Sequence, residues 1–326
     1  MKERNLMTTA IESKKLSNGY IRGLIALIGG IALFSTVEID AKIINSQATI
    51  PPAIMVFLRF VFTGIALLAI SLPRYLKTHG KFTKHDWKIF FLNGAIGISL
   101  CLGLFHAAIA MFSNASSAAV VFSANAVFTI IFAKYMNNEA WNIRKWLALV
   151  CGLVGISLFI FESGKPDWDT FFAICTMALS AVAFAYSVCL AKREIKNYGA
   201  TLFMGMSSIC SCLVILPFAI YVVLAMPTNI ITELKNSFWG MLYMIFAGTT
   251  LGYFLYYTGI KHVTAFVASM AFFIKPVLAC FFAWFFIDES MNAWTISGTA
   301  IIMLALILTL KKKPIRKPLS VISSAE

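Results

Sequence analysis

Ten long apolar stretches, separated by short polar segments, constrain this chain more than any other feature of its sequence. Each is about 18 to 25 residues long, which is the length that an α-helix needs to cross the hydrocarbon core of a bilayer. The chain is 60% hydrophobic and only 13% charged, so an ordinary soluble domain is excluded. We therefore predict an all-α polytopic membrane protein with ten transmembrane helices. The predicted spans are residues 20–44, 52–72, 87–111, 115–135, 144–161, 168–192, 200–225, 238–258, 264–287 and 292–310.

The formal net charge of +13 arises from basic residues that are concentrated in alternate loops, and this distribution does not indicate a nucleic-acid partner. Basic residues cluster before the first span, after the even-numbered spans and at the C-terminal end, whereas the remaining loops hold only Lys42, Lys165 and Lys235. By the positive-inside rule, this pattern predicts both termini in the cytoplasm. The first apolar stretch is too long for a removable signal peptide. All seven cysteines lie inside predicted helices, so we expect no disulfide and no metal site.

An internal repeat becomes visible when the sequence is aligned with itself at a shift of 150 positions. The fourth predicted span and the loop that follows it then coincide with the ninth span and its loop. Matches between apolar residues are expected by coincidence, so the matches between polar residues have more weight. The identical pairs are Phe34/Phe184, Lys42/Lys192, Ala115/Ala265, Ala118/Ala268, Phe122/Phe272, Val127/Val277, Phe132/Phe282, Ala133/Ala283, Glu139/Glu289 and Asn142/Asn292.

The repeat predicts two halves of opposite orientation. Each half holds five spans, and because this number is odd, the second copy must cross the membrane in the opposite sense to the first. We predict two inverted five-helix repeats, residues 20–161 and residues 162–310, between cytoplasmic tails of residues 1–19 and 311–326. Inverted repeats of this kind are typical of transporters, because exchanging the conformations of the halves gives alternating access.

Lys275 is the strongest candidate for a transport site, because it stands near the middle of the ninth apolar stretch. It lies roughly 16 Å from each membrane face, too deep for its ammonium group to reach water by extending along the helix. The side chain must therefore face protein or water. Pro276 has no backbone N–H, so we also expect the Phe272 carbonyl to lack its usual partner. The alternative to a substrate-binding lysine is one held structurally by a carboxylate or by helix carbonyls.

Arg59, Glu38 and Asn125 are further candidates. Glu38 and Arg59 lie at similar predicted depths on consecutive spans, which favours a structural or gating ion pair between them. Glu38 could instead pair with Lys42, four residues later on the same helix, leaving Arg59 for another role. Asn125 occupies the repeat position of Lys275, and the inverted repeat predicts that both lie near one central point. A simple hydrogen bond between helices is an equally good interpretation of Asn125.

Aromatic and histidine side chains complete the set of candidate substrate-binding or gating residues. Tyr253, Tyr256 and Tyr257 share part of one face of the eighth span, and a wall of aromatic rings with hydroxyl groups suits an amphipathic organic substrate. Most other aromatic residues are expected to face lipid or the membrane interface. His106 in the third span is a weaker candidate, because a lone membrane histidine is more often a packing residue than a proton relay.

Two stretches of the chain resemble the halves of an EamA-type member of the drug/metabolite transporter superfamily. Residues 107–146 have an alanine-rich helix start and a terminal Asn-Glu, and residues 265–298 have Lys-Pro in mid-helix and a terminal Asp-Glu. Arg59 also matches an arginine common in the second span of that family. The resemblance covers residues 19–310 and implies export of small metabolites or toxic compounds across the inner (plasma) membrane. The first half departs from the family, with Ala126 where a mid-helix proline would stand.

These observations predict a secondary-active transporter that exports a small organic metabolite, such as an amino acid, by alternating access. An exchanger of anionic or phosphorylated metabolites is the alternative suggested by Lys275 and Arg59. An intramembrane enzyme would need a nucleophile with a base or clustered metal ligands, and a channel would present a continuous polar ring. We expect no catalysis, no cofactor, and the bilayer and a small-molecule substrate as partners, with a homodimer as a possible assembly.

Overall fold

The protein is a bundle of long helices. A computed structural model describes residues 19–138, 143–161, 168–225, 229–263, 265–272, 274–288 and 293–307, and these residues contain helices and no strand. Seven helices, α1–α4 and α6–α8, are long and apolar enough to cross a membrane. The helices are α1 (Gly19–Gln47), α2 (Pro52–His79), α3 (Lys84–Met111), α4 (Ala115–Asn137), α5 (Ile143–Ser157, then the 3₁₀ turn Leu158–Phe161), α6 (Trp168–Tyr198), α7 (Ala200–Ala225), α8 (Phe238–His262), α9 (Ala265–Ala271 and Ile274–Ile287) and α10 (Ala293–Ile307). The all-α prediction is confirmed, while the count of ten crossings stays a prediction.

The two halves share their helix irregularities. Helix α3 contains a π-helical segment at Asn93–Leu100 and α8 contains one at Met244–Leu251, 151 positions later (244 − 93). Helix α4 ends in left-handed Asn138, and α9 is followed by left-handed Asp288, 150 positions later (288 − 138). A π segment is rare and often lies at a functional site. Such features recur at nearly the same spacing because each half folds in the same way.

Helices α4 and α9 are both broken near their middle. Helix α4 divides at Ala124 although no proline is present, and the Asn125 side chain donates to the Phe122 carbonyl at 2.8 Å. That side chain supplies a donor where the helix is interrupted. In α9 the backbone N–H of Lys275 donates to the Phe272 carbonyl at 3.1 Å. Pro276 thus removes the usual donor to this carbonyl, as expected, but the carbonyl accepts from Lys275 instead and is not a free acceptor.

The π segments contact the central helices α2 and α7 through hydroxyl pairs. Thr250 in α8 bonds to Thr63 in α2 at 2.8 Å, and Ser99 in α3 bonds to Ser211 in α7 at 2.8 Å. The Thr250 hydroxyl also donates to the carbonyl of Ile245, five residues earlier in the π turn. Hydrogen bonds of this kind satisfy polar groups that the bilayer cannot solvate.

Two lysines at the repeat spacing hold equivalent positions at opposite ends of the bundle. Lys42 on α1 donates to the Phe112 carbonyl, just after the end of α3. Lys192 on α6 donates to the Ile260 carbonyl at the end of α8 at 2.9 Å, and to the Lys261 carbonyl at 3.5 Å. A cation is favourable at a helix C-terminus, where carbonyls lack partners within the helix. Each half therefore binds one of its own helix ends by the same contact.

Candidate transport site

A small cavity lies at the centre of the bundle. Its volume is about 20 Å³, which is room for one or two water molecules but not for an organic solute. Four phenylalanines that line it form two of the pairs found at the repeat spacing, Phe34 with Phe184 and Phe122 with Phe272. Their rings pack together, with centroids 5.3 Å apart for Phe122 and Phe184 and 6.1 Å apart for Phe34 and Phe272. The two halves thus close on each other through an aromatic cage.

Lys275 lines this cavity and is 1% exposed. Its ammonium group donates to Oε1 of Glu38 on α1, forming an ion pair between the two halves of the molecule. The nitrogen also lies 4.5 Å from the ring centroid of Phe122 and 5.5 Å from that of Phe105. Aromatic faces attract a cation, and a buried charge needs such partners. Lys275 therefore lines the cavity and is held by a carboxylate, while its role in substrate binding stays a prediction.

Glu38 contacts a different cation from the one expected. The predicted partners were Arg59 or Lys42, but the carboxylate bonds to Lys275 instead, and Lys42 binds the Phe112 carbonyl. The second carboxylate oxygen, Oε2, is buried and has no hydrogen-bond partner among the described residues. A buried carboxylate oxygen without a donor is energetically costly. It is therefore a free acceptor on the residue that pairs with Lys275, although Glu38 itself does not line the cavity.

Arg59 reaches the cavity from α2 and is 2% exposed. Its Nε donates to the Thr249 hydroxyl at 2.7 Å, and its Nη1 donates to Nε2 of His106. Because the arginine can only donate, His106 accepts at Nε2 as a neutral imidazole with its proton on Nδ1. Thr249 in turn donates to the Met244 carbonyl, so the π segment of α8 positions the hydroxyl that orients Arg59.

The charges at the cavity do not balance. Lys275 and Arg59 line it, and Glu38 neutralises Lys275. Over the described part of the chain, no carboxylate lies within ion-pair distance of Arg59. Among the residues that line the cavity, Arg59 is therefore a surplus positive charge that neutral partners hold in place, and Asp40 and Glu38 act on it only from beyond ion-pair distance. Such a site favours an anionic group on whatever enters it.

The remaining candidates lie at varying distances from the cavity. Tyr253 lines it and packs against Phe34, with ring centroids 4.8 Å apart. Tyr256 packs behind the cage against Phe272, and its hydroxyl has no partner within the described ranges. Tyr257 lies further away against Phe203. Asn125 is buried beside Phe122, and its Oδ1 lacks a described partner, but it does not line the cavity.

Sequence reasoning did not single out the aromatic cage or Asp40. The cage could have been found, because its four phenylalanines are two of the identical pairs in the repeat. Asp40 is a second carboxylate in an otherwise apolar part of α1, and it is 9% exposed. The described residues contain no group of three metal-ligating side chains.

Comparison with known proteins identifies the family. The profile of the EamA-like transporter family matches residues 21–161 and again residues 171–311. The chain belongs to the EamA-like transporter family. This confirms the resemblance to EamA-type members of the drug/metabolite transporter superfamily. It also confirms the two-repeat architecture, and it establishes a multi-pass membrane protein of a transporter family.

Several curated proteins are similar to this EamA-like chain. An uncharacterized transporter of Clostridium kluyveri is 28% identical over 95% of this chain and 100% of its own length. The uncharacterized transporter YoaV of Bacillus subtilis is 24% identical over 74% of this chain and 84% of its own. Protein PecM of Dickeya dadantii is 26% identical over 68% of this chain and 73% of its own. A solved crystal structure of a protein has a TM-score of 0.62 at 14% identity, covers 90% of this chain and 96% of that chain, and shares the fold.

Proposed function

We propose that this EamA-like protein is a secondary-active exporter of a small zwitterionic metabolite, such as an amino acid, and that it works by alternating access. We place it in the inner (plasma) membrane with both termini in the cytoplasm, its repeats spanning residues 20–161 and 162–310. The observation that carries the proposal is the surplus positive charge of Arg59 beside the Glu38–Lys275 pair. We propose no catalysis.

The surplus charge suits one substrate carboxylate. Arg59 presents a planar set of donors that can bind a carboxylate in a two-point contact. A phosphate with nearly two negative charges would need a second uncompensated cation, and Lys275 is already paired with Glu38. A single carboxylate is thus the better electrostatic match for the resting cavity.

A substrate ammonium group has a matching acceptor. Oε2 of Glu38 is buried without a described partner, on the carboxylate that also holds Lys275. The phenylalanine cage would enclose the apolar part of the solute and would attract its cationic end. Carboxylate, ammonium and side chain of an amino acid would each meet a complementary surface.

The closed cavity and the symmetry of its walls support alternating access. The central cavity holds only one or two water molecules, so the two halves must separate at one end before a solute can enter. The cage consists of pairs at the repeat spacing, so opening at either end would move equivalent residues. Exchange of conformations between inverted repeats produces the two open states.

Counterflow in proteoliposomes tests the proposal. We expect at least one zwitterionic amino acid to show saturable counterflow, and Arg59→Ala to reduce that rate roughly tenfold or more, because a charge-assisted hydrogen bond is lost. Lys88→Ala, at an exposed lysine on α3, is the matched control and should retain wild-type counterflow. Collapsing the proton gradient in the same liposomes shows whether net export depends on it.

Three outcomes of that assay would contradict the proposal. Saturable counterflow restricted to phosphorylated or dianionic compounds would favour an exchanger of anionic metabolites. The two cations in the cavity wall, Lys275 and Arg59, are the observation that favours this alternative. Single-channel currents without saturable movement of any organic solute would favour a channel. Unchanged transport in Arg59→Ala and Lys275→Ala would exclude the central cavity as the binding site.

A further inference from the structure

A second pocket opens at the predicted outer end of the bundle. It has a volume of about 620 Å³ and lies between α1, the beginning of α8 and the short helix Ile230–Asn236 that precedes α8. Its wall includes Asp40, Lys235, Trp239 and Tyr243. Trp239 is 77% exposed, so the pocket is accessible from the surface. Unlike the central cavity, it is large enough for an amino acid.

Asp40 gives this pocket an uncompensated acceptor. The residue is 9% exposed, and its buried Oδ2 has no hydrogen-bond partner among the described residues. No cation lies within ion-pair distance of Asp40 in the described ranges, although Lys235 lines the same pocket and Arg59 acts on Asp40 electrostatically from the other side. A buried carboxylate in this condition is stabilised by any cation that reaches it.

One turn of α1 separates this pocket from the central cavity. Val37 lines the cavity, Glu38 binds Lys275, and Asp40 lines the outer pocket. Residues two apart on a helix point to nearly opposite sides, so Glu38 is directed to Lys275 in the cavity wall and Asp40 to the outer pocket. The turn follows an interruption of α1 at Ser35 and Thr36, and the Thr36 hydroxyl bonds to the Tyr243 hydroxyl at 2.7 Å. The two compartments are therefore lined by residues of one short stretch of α1, from Val37 to Asp40, which follows a break in the helix.

We propose that the outer pocket is a release site for primary ammonium groups, in which Asp40 binds the ammonium group between the rings of Trp239 and Tyr243. Aromatic faces beside a carboxylate favour an organic ammonium over a neutral or anionic solute. For a zwitterion, Lys235 offers a cation to the carboxylate at the same pocket. The site rests on the proposed function and deepens it, because the ammonium group would pass from Glu38 to Asp40, about half a helix turn further along α1.

Protection of an introduced cysteine from alkylation tests this site without knowledge of the natural substrate. Gln47 lines the pocket and is exposed, so Gln47→Cys reports its occupancy, and the neighbouring exposed Ser46→Cys serves as a control position. With purified protein in nanodiscs, we expect 2-phenylethylammonium to slow alkylation at position 47 but not at 46. The anion 3-phenylpropionate should protect far less at equal concentration.

Variants assign the protection to Asp40. In the Gln47→Cys background, Asp40→Asn should raise the concentration of 2-phenylethylammonium needed for half protection roughly tenfold or more, because it removes the charge and nearly keeps the shape. Trp239→Ala changes an exposed ring and should weaken protection without disturbing folding. If Asp40→Asn does not fold, Trp239→Ala is the variant that tests the site. Lys235→Gln should leave protection by this probe intact.

The site and the proposed transport function fail in different ways. Absence of protection in the parent Gln47→Cys protein would overturn the outer site while leaving counterflow unaffected. Loss of protection in Glu38→Gln or Arg59→Ala, with retention in Asp40→Asn, would overturn it as well, because the probe would then be binding in the central cavity. Protection that depends on Asp40, in a protein without counterflow of any zwitterion, would support the site and contradict the proposed function.

Discussion

Replacing Lys275 with methionine is expected to lower the free energy of unfolding by about 3–5 kcal/mol, because it leaves the Glu38 carboxylate buried without its cation. Glu38→Gln should have a similar effect by leaving the ammonium group unpaired. The double variant, Glu38→Gln with Lys275→Met, should recover most of that loss, because both charges leave the interior together. Denaturant titration of the protein in mixed micelles measures each value and completes the cycle.

The controls separate the stability of the pair from its role in transport. Lys88→Met changes an exposed lysine and should leave the unfolding free energy within about 0.5 kcal/mol of the wild type. We expect the stable double variant to show no zwitterion counterflow, since it lacks both the lysine and the carboxylate at the cavity. Additive losses in the double variant would show that the two groups do not stabilise each other. Wild-type counterflow in that variant would confine the pair to a structural role.

The helices and the repeat could be predicted because their signals are local in the sequence. An apolar stretch of membrane length forms a helix wherever it stands, and each predicted span in the described residues falls on one of the helices. The repeat alignment pairs Lys42 with Lys192, and the structure gives both the same contact with a helix end. Fold and symmetry were thus accessible from residue spacing alone.

The partners at the candidate site could not be predicted in the same way. Hydropathy gives the depth of Glu38 and Arg59, but the rotation of each helix about its axis decides which side chains meet. Glu38 faces α9 and binds Lys275, while Arg59 faces α3 and α8 and binds His106 and Thr249. The break in α4 could not be predicted for another reason. A break in a helix is usually recognised in the sequence by a proline, whereas in α4 the Asn125 side chain provides the hydrogen-bond donor at the break.

Removing the two equivalent lysines one at a time is expected to shift the conformational equilibrium in opposite directions. Lys42→Ala releases α1 from the end of α3 at the predicted outer end, and Lys192→Ala releases α6 from the end of α8 at the predicted cytoplasmic end. Each change removes charge-assisted hydrogen bonds of about 1.5–3 kcal/mol, which alters the ratio of states roughly 10- to 100-fold. Lys42→Ala should favour the outward-open state, and Lys192→Ala the inward-open one.

Alkylation rates at the two ends measure that shift. Gln47→Cys reports the outer pocket, and Thr258→Cys reports a pocket of about 570 Å³ at the predicted cytoplasmic end. Lys42→Ala should raise the rate at position 47 and lower it at 258, and Lys192→Ala should do the reverse. Lys196→Ala, at an exposed lysine one turn after Lys192, is the matched control and should change neither.

The double variant decides whether the lysines act as two ends of one mechanism. If inverted repeats exchange conformations, each lysine stabilises the closed form of its own end, so removing both should return the ratio of the two rates toward the wild type. A change in the same direction for both single variants would mean that the contacts only strengthen the bundle. A ratio that stays shifted in the double variant would mean that one end controls access without the other, and the symmetry of the fold would then not extend to its motion.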